Sequence, residues 1–153
     1  MTEATTKLRP ILVVDDDPYM RTSLTDCLVS CGYPVETAID GVDALAKFRK
    51  GAYEMVITDI RMPKMGGLEL LKNVKGQAPE TPVIVITAYG TVNTAVEAMK
   101  QGATDFIMKP FSLDDLEVVV KNVFERGQEP ETAREGAPET AGAGRAVQRQ
   151  IVT

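Results

Sequence analysis

Ile11-Leu12-Val13-Val14-Asp15-Asp16-Asp17 is the stretch that decides the fold. Four apolar residues in a row read as a strand buried on both faces. Three carboxylates follow at once, where that strand must end. Acids packed so closely repel one another and resist ionising together. The end of the strand therefore calls for a cation, and its oxygen donors suit a hard metal ion better than they suit a core.

The same pattern recurs outward from this stretch, as apolar runs separated by helical periodicity. A helix is expected from about Pro18 to Cys31, with proline in its first turn and Gly32 beyond its end. Val35 to Ile39 reads as a weaker strand closed by Asp40-Gly41. Val42, Leu45 and Ala46 mark a short helix ending near Gly51. Met55 to Ile57 is a third strand, ending at Thr58-Asp59, and Leu68, Leu71 and Val74 mark the next helix. Val83 to Ile86 is a fourth strand ending at Thr87, followed by a stripe of Val92, Ala95, Val96 and Met99. Phe106 to Met108 is a fifth strand ending at Lys109-Pro110. Ser112 and Asp115 resemble a capping box opening a last helix, which Gly127 is expected to stop early. Strands alternating with helices imply an α/β fold, a doubly wound parallel sheet of five units. Function in such sheets sits at the carboxyl ends of the strands.

The 153 residues fit one domain with a real core. A net charge of -5 argues against nucleic-acid binding through a general basic surface. No apolar run is long enough to span a bilayer, and Met1 to Pro10 lacks a secretory apolar stretch, so a cytoplasmic location is expected. With His 0, imidazole metal sites, Ser-His-Asp hydrolysis and histidine acid–base catalysis are excluded. Cys27 and Cys31 share a helix face with Met20, Leu24 and Leu28 and are expected to be small core residues. A CxxxC pair alone is a weak metal or redox signal, and nothing near it in the sequence completes a site. The expected organisation is an N-terminal extension over 1–8, a folded domain over 9–126 and a flexible Gly/Pro/Glu/Ala/Thr-rich linker over 127–153. That linker is expected to lead to an output domain of a longer protein.

The strand ends carry Asp15-Asp16-Asp17, Asp59, Thr87 and Lys109. Carboxylates can hold Mg²⁺, one carboxylate can attack phosphorus, and a hydroxyl and an ammonium can take up the remaining phosphoryl oxygens. Asp59 is the best nucleophile, because it stands alone at the tip of a buried strand while the other acids are clustered. Taken singly, each residue has a plainer role. Asp17 is expected to cap a helix, Thr87 could do the same, and Lys109 could be a solvated lysine. Their joint placement at strand ends favours phosphoryl transfer. A haloacid-dehalogenase pattern fails at Tyr19, a P-loop is absent, and a flavodoxin phosphate loop is replaced by acids.

The segments ILVVDDDP, MVITDIRMPKMGGLELL, PVIVITAYG and GATDFIMKPF resemble the receiver domain of bacterial two-component response regulators, over roughly Leu8 to Arg126. The resemblance implies a flavodoxin-like (βα)5 sheet of strand order 2-1-3-4-5. It implies that Asp59 accepts a phosphoryl group from a sensor histidine kinase. Mg²⁺ would be held by Asp15 through water, by Asp16 directly, by Asp59, and by the backbone carbonyl of Arg61. Thr87 and Phe106 match the switch hydroxyl and switch aromatic, Lys109 the family lysine and Pro110 its cis proline. Phosphorylation would then alter the face made by the fourth helix, fifth strand and fifth helix. The implied chemistry is self-phosphorylation and auto-dephosphorylation, not turnover of a free substrate. AYGTVNTAVEAMKQGATDFIMKPF most resembles receivers of the nitrogen-regulatory type. These control a central ATPase and a DNA-binding domain as transcription activators, and often act as homodimers. The alternative is a non-phosphorylated pseudo-receiver serving as a dimerisation or protein-binding module. Pro63 and Gly66-Gly67 would line the site, with glycine allowing close approach and positive φ. Met62 and Met65 read as loop packing.

Overall fold

The computed structural model describes residues 9–62, 64–88 and 92–127. The chain separates into two compact units, Met1–Val120 and Lys121–Thr153. The first unit holds the sheet and the site. Of the second, only the end of the last helix is described, and the expected extension over 1–8 and the linker beyond 127 lie outside the described residues.

The strands are β1 (Ile11–Val14), β2 (Val35–Ala38), β3 (Met55–Asp59), β4 (Val83–Ala88) and β5 (Asp105–Lys109). The helices are α1 (Pro18–Ser30), α2 (Gly41–Lys50), α3 (Gly67–Gln77), α4 (Val92–Lys100) and α5 (Leu113–Gly127). All strand pairs are parallel, in the order β2-β1-β3-β4-β5, which is the flavodoxin-like topology. β1 lies between β2 and β3, which explains its unbroken apolar run: all four residues are at most 1% exposed. β2, at the edge, is only partly covered and mixes Glu36 and Thr37 with Val35 and Ala38. Because the chain leaves β1 for β2 and then crosses back to β3, the helices of these two crossovers must lie on opposite faces. The carboxyl ends of β1 and β3 therefore border the crevice at which the strand order reverses. No helix among the described residues is long and apolar enough to cross a membrane.

Local chemistry sets the helix ends. Asp17 is the N-cap of α1, its Oδ1 accepting from the Tyr19 amide at 3.0 Å, as expected, and Pro18 follows in the first turn. At the other end, the Gly32 amide donates to Val29 and the Tyr33 amide to Leu28, with Gly32 at φ 99°. This paired closure needs the left-handed conformation that glycine adopts without strain. Ser112 and Asp115 cap α5 reciprocally, each side chain accepting the other's amide, at 3.1 and 3.3 Å.

Two local expectations are corrected. β4 and β5 continue through Ala88 and Lys109, so Thr87 and Lys109 lie within strands because sheet pairing extends past the apolar run. Cys31 is exposed: it is the C-cap of α1, where the chain turns away from the core, whereas Cys27 is buried. α5 is described as far as Gly127, the residue expected to stop it.

Candidate functional site at the strand ends

β1 and β3 run in register, Val14 opposite Thr58, so the next residues, Asp15 and Asp59, emerge together at the carboxyl edge. Asp59 pairs with Ile86 on β4, one residue before Thr87, and Ala88 pairs with Lys109 on β5. Four strands far apart in sequence thus deliver acids, a hydroxyl and an ammonium to one edge.

One carboxylate oxygen from each of Asp15, Asp16 and Asp59 lies within 4.8 Å of the others. Asp15 and Asp59 are buried and Asp16 is exposed. Lys109 Nζ lies 3.5 Å from Asp59 Oδ1. Burial pushes the Asp15 carboxyl up to about 6; the Asp17 amide, donating to its Oδ1 at 2.9 Å, opposes the rise and the charge of Asp59 adds to it. Asp59 is also raised, again by burial first, with Lys109 pulling the other way. One lysine does not neutralise three acids. Asp15 Oδ2 is buried with no hydrogen-bond partner. A buried carboxylate with one partnerless oxygen, beside two more carboxylates, fits a hard cation, which prefers oxygen donors and would relieve the repulsion.

Asp17 stands apart from this trio and serves the helix and the turn. Thr87 is 2% exposed within β4. Phe106 pairs with Val85 and is partly buried against the core cluster, so it is neither solvent-facing nor a fully enclosed core ring. Arg61 is exposed in the turn after β3. The Lys109–Pro110 peptide is cis. Met62 and Met65 pack against the core, as expected for loop packing. Pro63 and the stretch 89–91 lie outside the described residues.

The glycines beside the site act through space rather than through φ. A Cβ on Gly67 would fall on the carbonyl oxygen of Asp59 and within 2.8 Å of the Ile60 Cα, and its amide donates to the Ile60 carbonyl at 2.8 Å. Gly66 has φ -79°, and the positive φ expected of this glycine pair falls instead on Lys64 at 68°. Lys64 is anchored there by an ion pair, 3.8 Å from the buried Asp40.

Two supporting contacts were not anticipated. Arg21 Nη1 donates to the Asp15 carbonyl at 2.7 Å, holding a cation against the backbone of the acidic turn. The buried hydroxyl of Thr58 donates to the Asp59 carbonyl at 2.8 Å. The spacing of Arg21 from Asp17, one helical turn, was the available signal for the first; Thr58 carried none.

The family model of the response regulator receiver domain matches residues 11–121. The transcriptional regulatory protein ZraR of Klebsiella oxytoca is 46% identical over 114 residues, covering 74% of this chain and 26% of that protein. The DNA-binding transcriptional regulator NtrC of Salmonella typhimurium is 37% identical over 124 residues, covering 81% of this chain and 26% of that protein. The crystal structure of the receiver domain of NtrX from Brucella abortus aligns with a TM-score of 0.72 at 40% identity, covering 75% of this chain and 98% of that one. The chain thus spans 26% of the length of each of these two curated relatives.

Proposed function

This chain belongs to the response regulator receiver domain family, and from that premise we propose that it accepts a phosphoryl group on Asp59 from a sensor histidine kinase. The observation that carries this reading is the trio of carboxylate oxygens within 4.8 Å of one another, with Lys109 3.5 Å from Asp59. A pseudo-receiver would have no use for so costly a cluster, and the complete set of acids and lysine favours the phosphorylated reading.

Asp59 is the nucleophile. One of its carboxylate oxygens forms the bond to phosphorus while the bond from phosphorus to the donor's imidazole nitrogen breaks. The electron pair leaves with that nitrogen. Lys109 is already paired with the attacking carboxylate and takes up charge on a phosphoryl oxygen as transfer proceeds. Thr87 is assigned to a second phosphoryl oxygen. Asp15, Asp16, Asp59 and the Arg61 carbonyl would hold Mg²⁺. When bound, the ion supplies positive charge to the phosphoryl oxygens. Water attacking the acyl phosphate would reverse the modification, so the chain modifies itself and does not turn over a free substrate.

Engagement of Thr87 by the phosphoryl group would let Phe106 fill the space beside β4 and so reshape the face of α4, β5 and α5. Val96 and Met99 are exposed on α4 and offer apolar surface for a homodimer or an output domain. The named relatives are transcriptional regulators, one of them DNA-binding, and the output assigned here is a transcriptional activator module with ATPase and DNA-binding parts, in the cytoplasm. The test is incubation with acetyl phosphate and Mg²⁺, followed by intact mass. Wild type gains one phosphoryl group and Asp59→Asn gains none. Equal labelling of the two would refute the assignment.

A further inference from the structure

A second group of metal-type ligands lies away from the acidic edge. Cys27 Sγ sits 3.9 Å from Glu117 Oε2 and 3.7 Å from the Leu113 carbonyl, bringing the last turns of α1 against the first turns of α5. One donor atom from each of Cys27, Cys31 and Glu117 lies within 4.8 Å of the others, and the cysteines form no disulfide. The CxxxC spacing thus acquires a third ligand that lies 86 residues beyond Cys31 and is supplied only by the packing of two helices.

We infer that Cys27, Cys31 and Glu117 form a binding site for a thiophilic divalent cation of the zinc or cadmium type, which would clamp α1 to α5. Zn–S and Zn–O bonds of about 2.3 and 2.0–2.2 Å place tetrahedral donors roughly 3.4–3.8 Å apart, within small side-chain rotations of the present positions. The donor set is the chemical opposite of the strand-end cluster. Two thiolates and one carboxylate select a borderline-soft ion, whereas three carboxylates select a hard one. Cys31 and Glu117 are exposed, so an ion enters from solvent and water completes the fourth position. On binding, each thiol loses its proton to solvent as its sulfur forms the metal bond.

The test uses the full chain, reduced with a non-thiol reductant, with Mg²⁺ in excess to occupy the acidic edge. Cadmium is titrated while the ultraviolet thiolate-to-cadmium absorption and the thermal midpoint are followed. Wild type should show the band saturating at one equivalent, with a raised midpoint. Cys31→Ser, at an exposed cap, should lose both while keeping its far-ultraviolet circular dichroism. Glu117→Gln should bind about tenfold more weakly or worse. Asp59→Asn should retain the band unchanged. No band at one equivalent, an unweakened Glu117→Gln, or loss of the band in Asp59→Asn would each overturn the assignment. A raised midpoint without the band would place the ion at the carboxylates of the strand ends and overturn it as well.

Discussion

Replacing Asp15 with Asn should stabilise the ion-free protein at neutral pH and at the same time remove its stabilisation by Mg²⁺. Asp15 is 1% exposed, and burial first, then the charge of Asp59, lift its carboxyl from 3.8 to about 6 against the pull of the Asp17 amide. That rise is a little over two pH units, each worth about 1.4 kcal/mol, so holding Asp15 ionised costs the fold at most about 3 kcal/mol. Water reaching the exposed Asp16 beside it screens the site, which brings the expected gain down to roughly 1–2 kcal/mol. The native state binds this proton more tightly than the unfolded chain does. Its favourable contribution is therefore full below the unfolded value near 3.8 and is lost as pH rises through about 6. Asn keeps an oxygen for the Asp17 amide, and its NH2 group takes the place of the partnerless Oδ2, beside carboxylates that can accept from it. Urea unfolding followed by circular dichroism, in EDTA and in saturating Mg²⁺, reads both effects. At about pH 7.5 in EDTA the variant should be the more stable, and the gap should shrink toward about pH 4. Mg²⁺ should raise wild type and leave the variant unmoved. A variant no more stable than wild type in EDTA at about pH 7.5, or a gap undiminished at about pH 4, would refute the account of a burial-strained carboxylate.

Lys109→Met removes the ammonium 3.5 Å from Asp59. Labelling by acetyl phosphate should slow by about 100-fold or more, and a loss under about threefold would show that the lysine is a bystander. Gly67→Ala puts a Cβ onto the Asp59 carbonyl and should destabilise by about 2–3 kcal/mol. Gly76→Ala, in the same helix with nothing within 4 Å, should stabilise by about 0.5–1 kcal/mol, and equal effects in urea melts would contradict the steric argument. Ser112→Ala removes the α5 cap and should cost about 1 kcal/mol in the same assay; a melt superposing on wild type would dismiss the cap.

Much of the site was legible because its parts obey local rules. The run Ile11–Val14 announces a doubly covered strand, and Asp17 before Pro18 announces a helix cap; both stand as expected. Cys31 shows where such reading stops. Helical periodicity puts it on the face of Cys27, but the helix ends beneath it and the face no longer points inward. Glycine between a strand and a helix suggested positive φ, but close packing of Gly67 on Asp59 was the actual constraint, and Lys64 took the left-handed turn. Neither outcome is encoded within a few residues.

By itself, the sequence determined the order of strands and helices, the burial of β1 and β3 and the cap at Asp17, and it marked Asp59 as the candidate nucleophile. Each follows from side-chain period, burial and local hydrogen bonding, which act over one or two turns of chain. Only the tertiary structure decided that Asp15, Asp16, Asp59 and Lys109 meet, and that Glu117 joins Cys27 and Cys31. Strand register and the packing of crossover helices are long-range, and they alone turn separated acids into one low-dielectric cluster whose repulsion creates the demand for a cation.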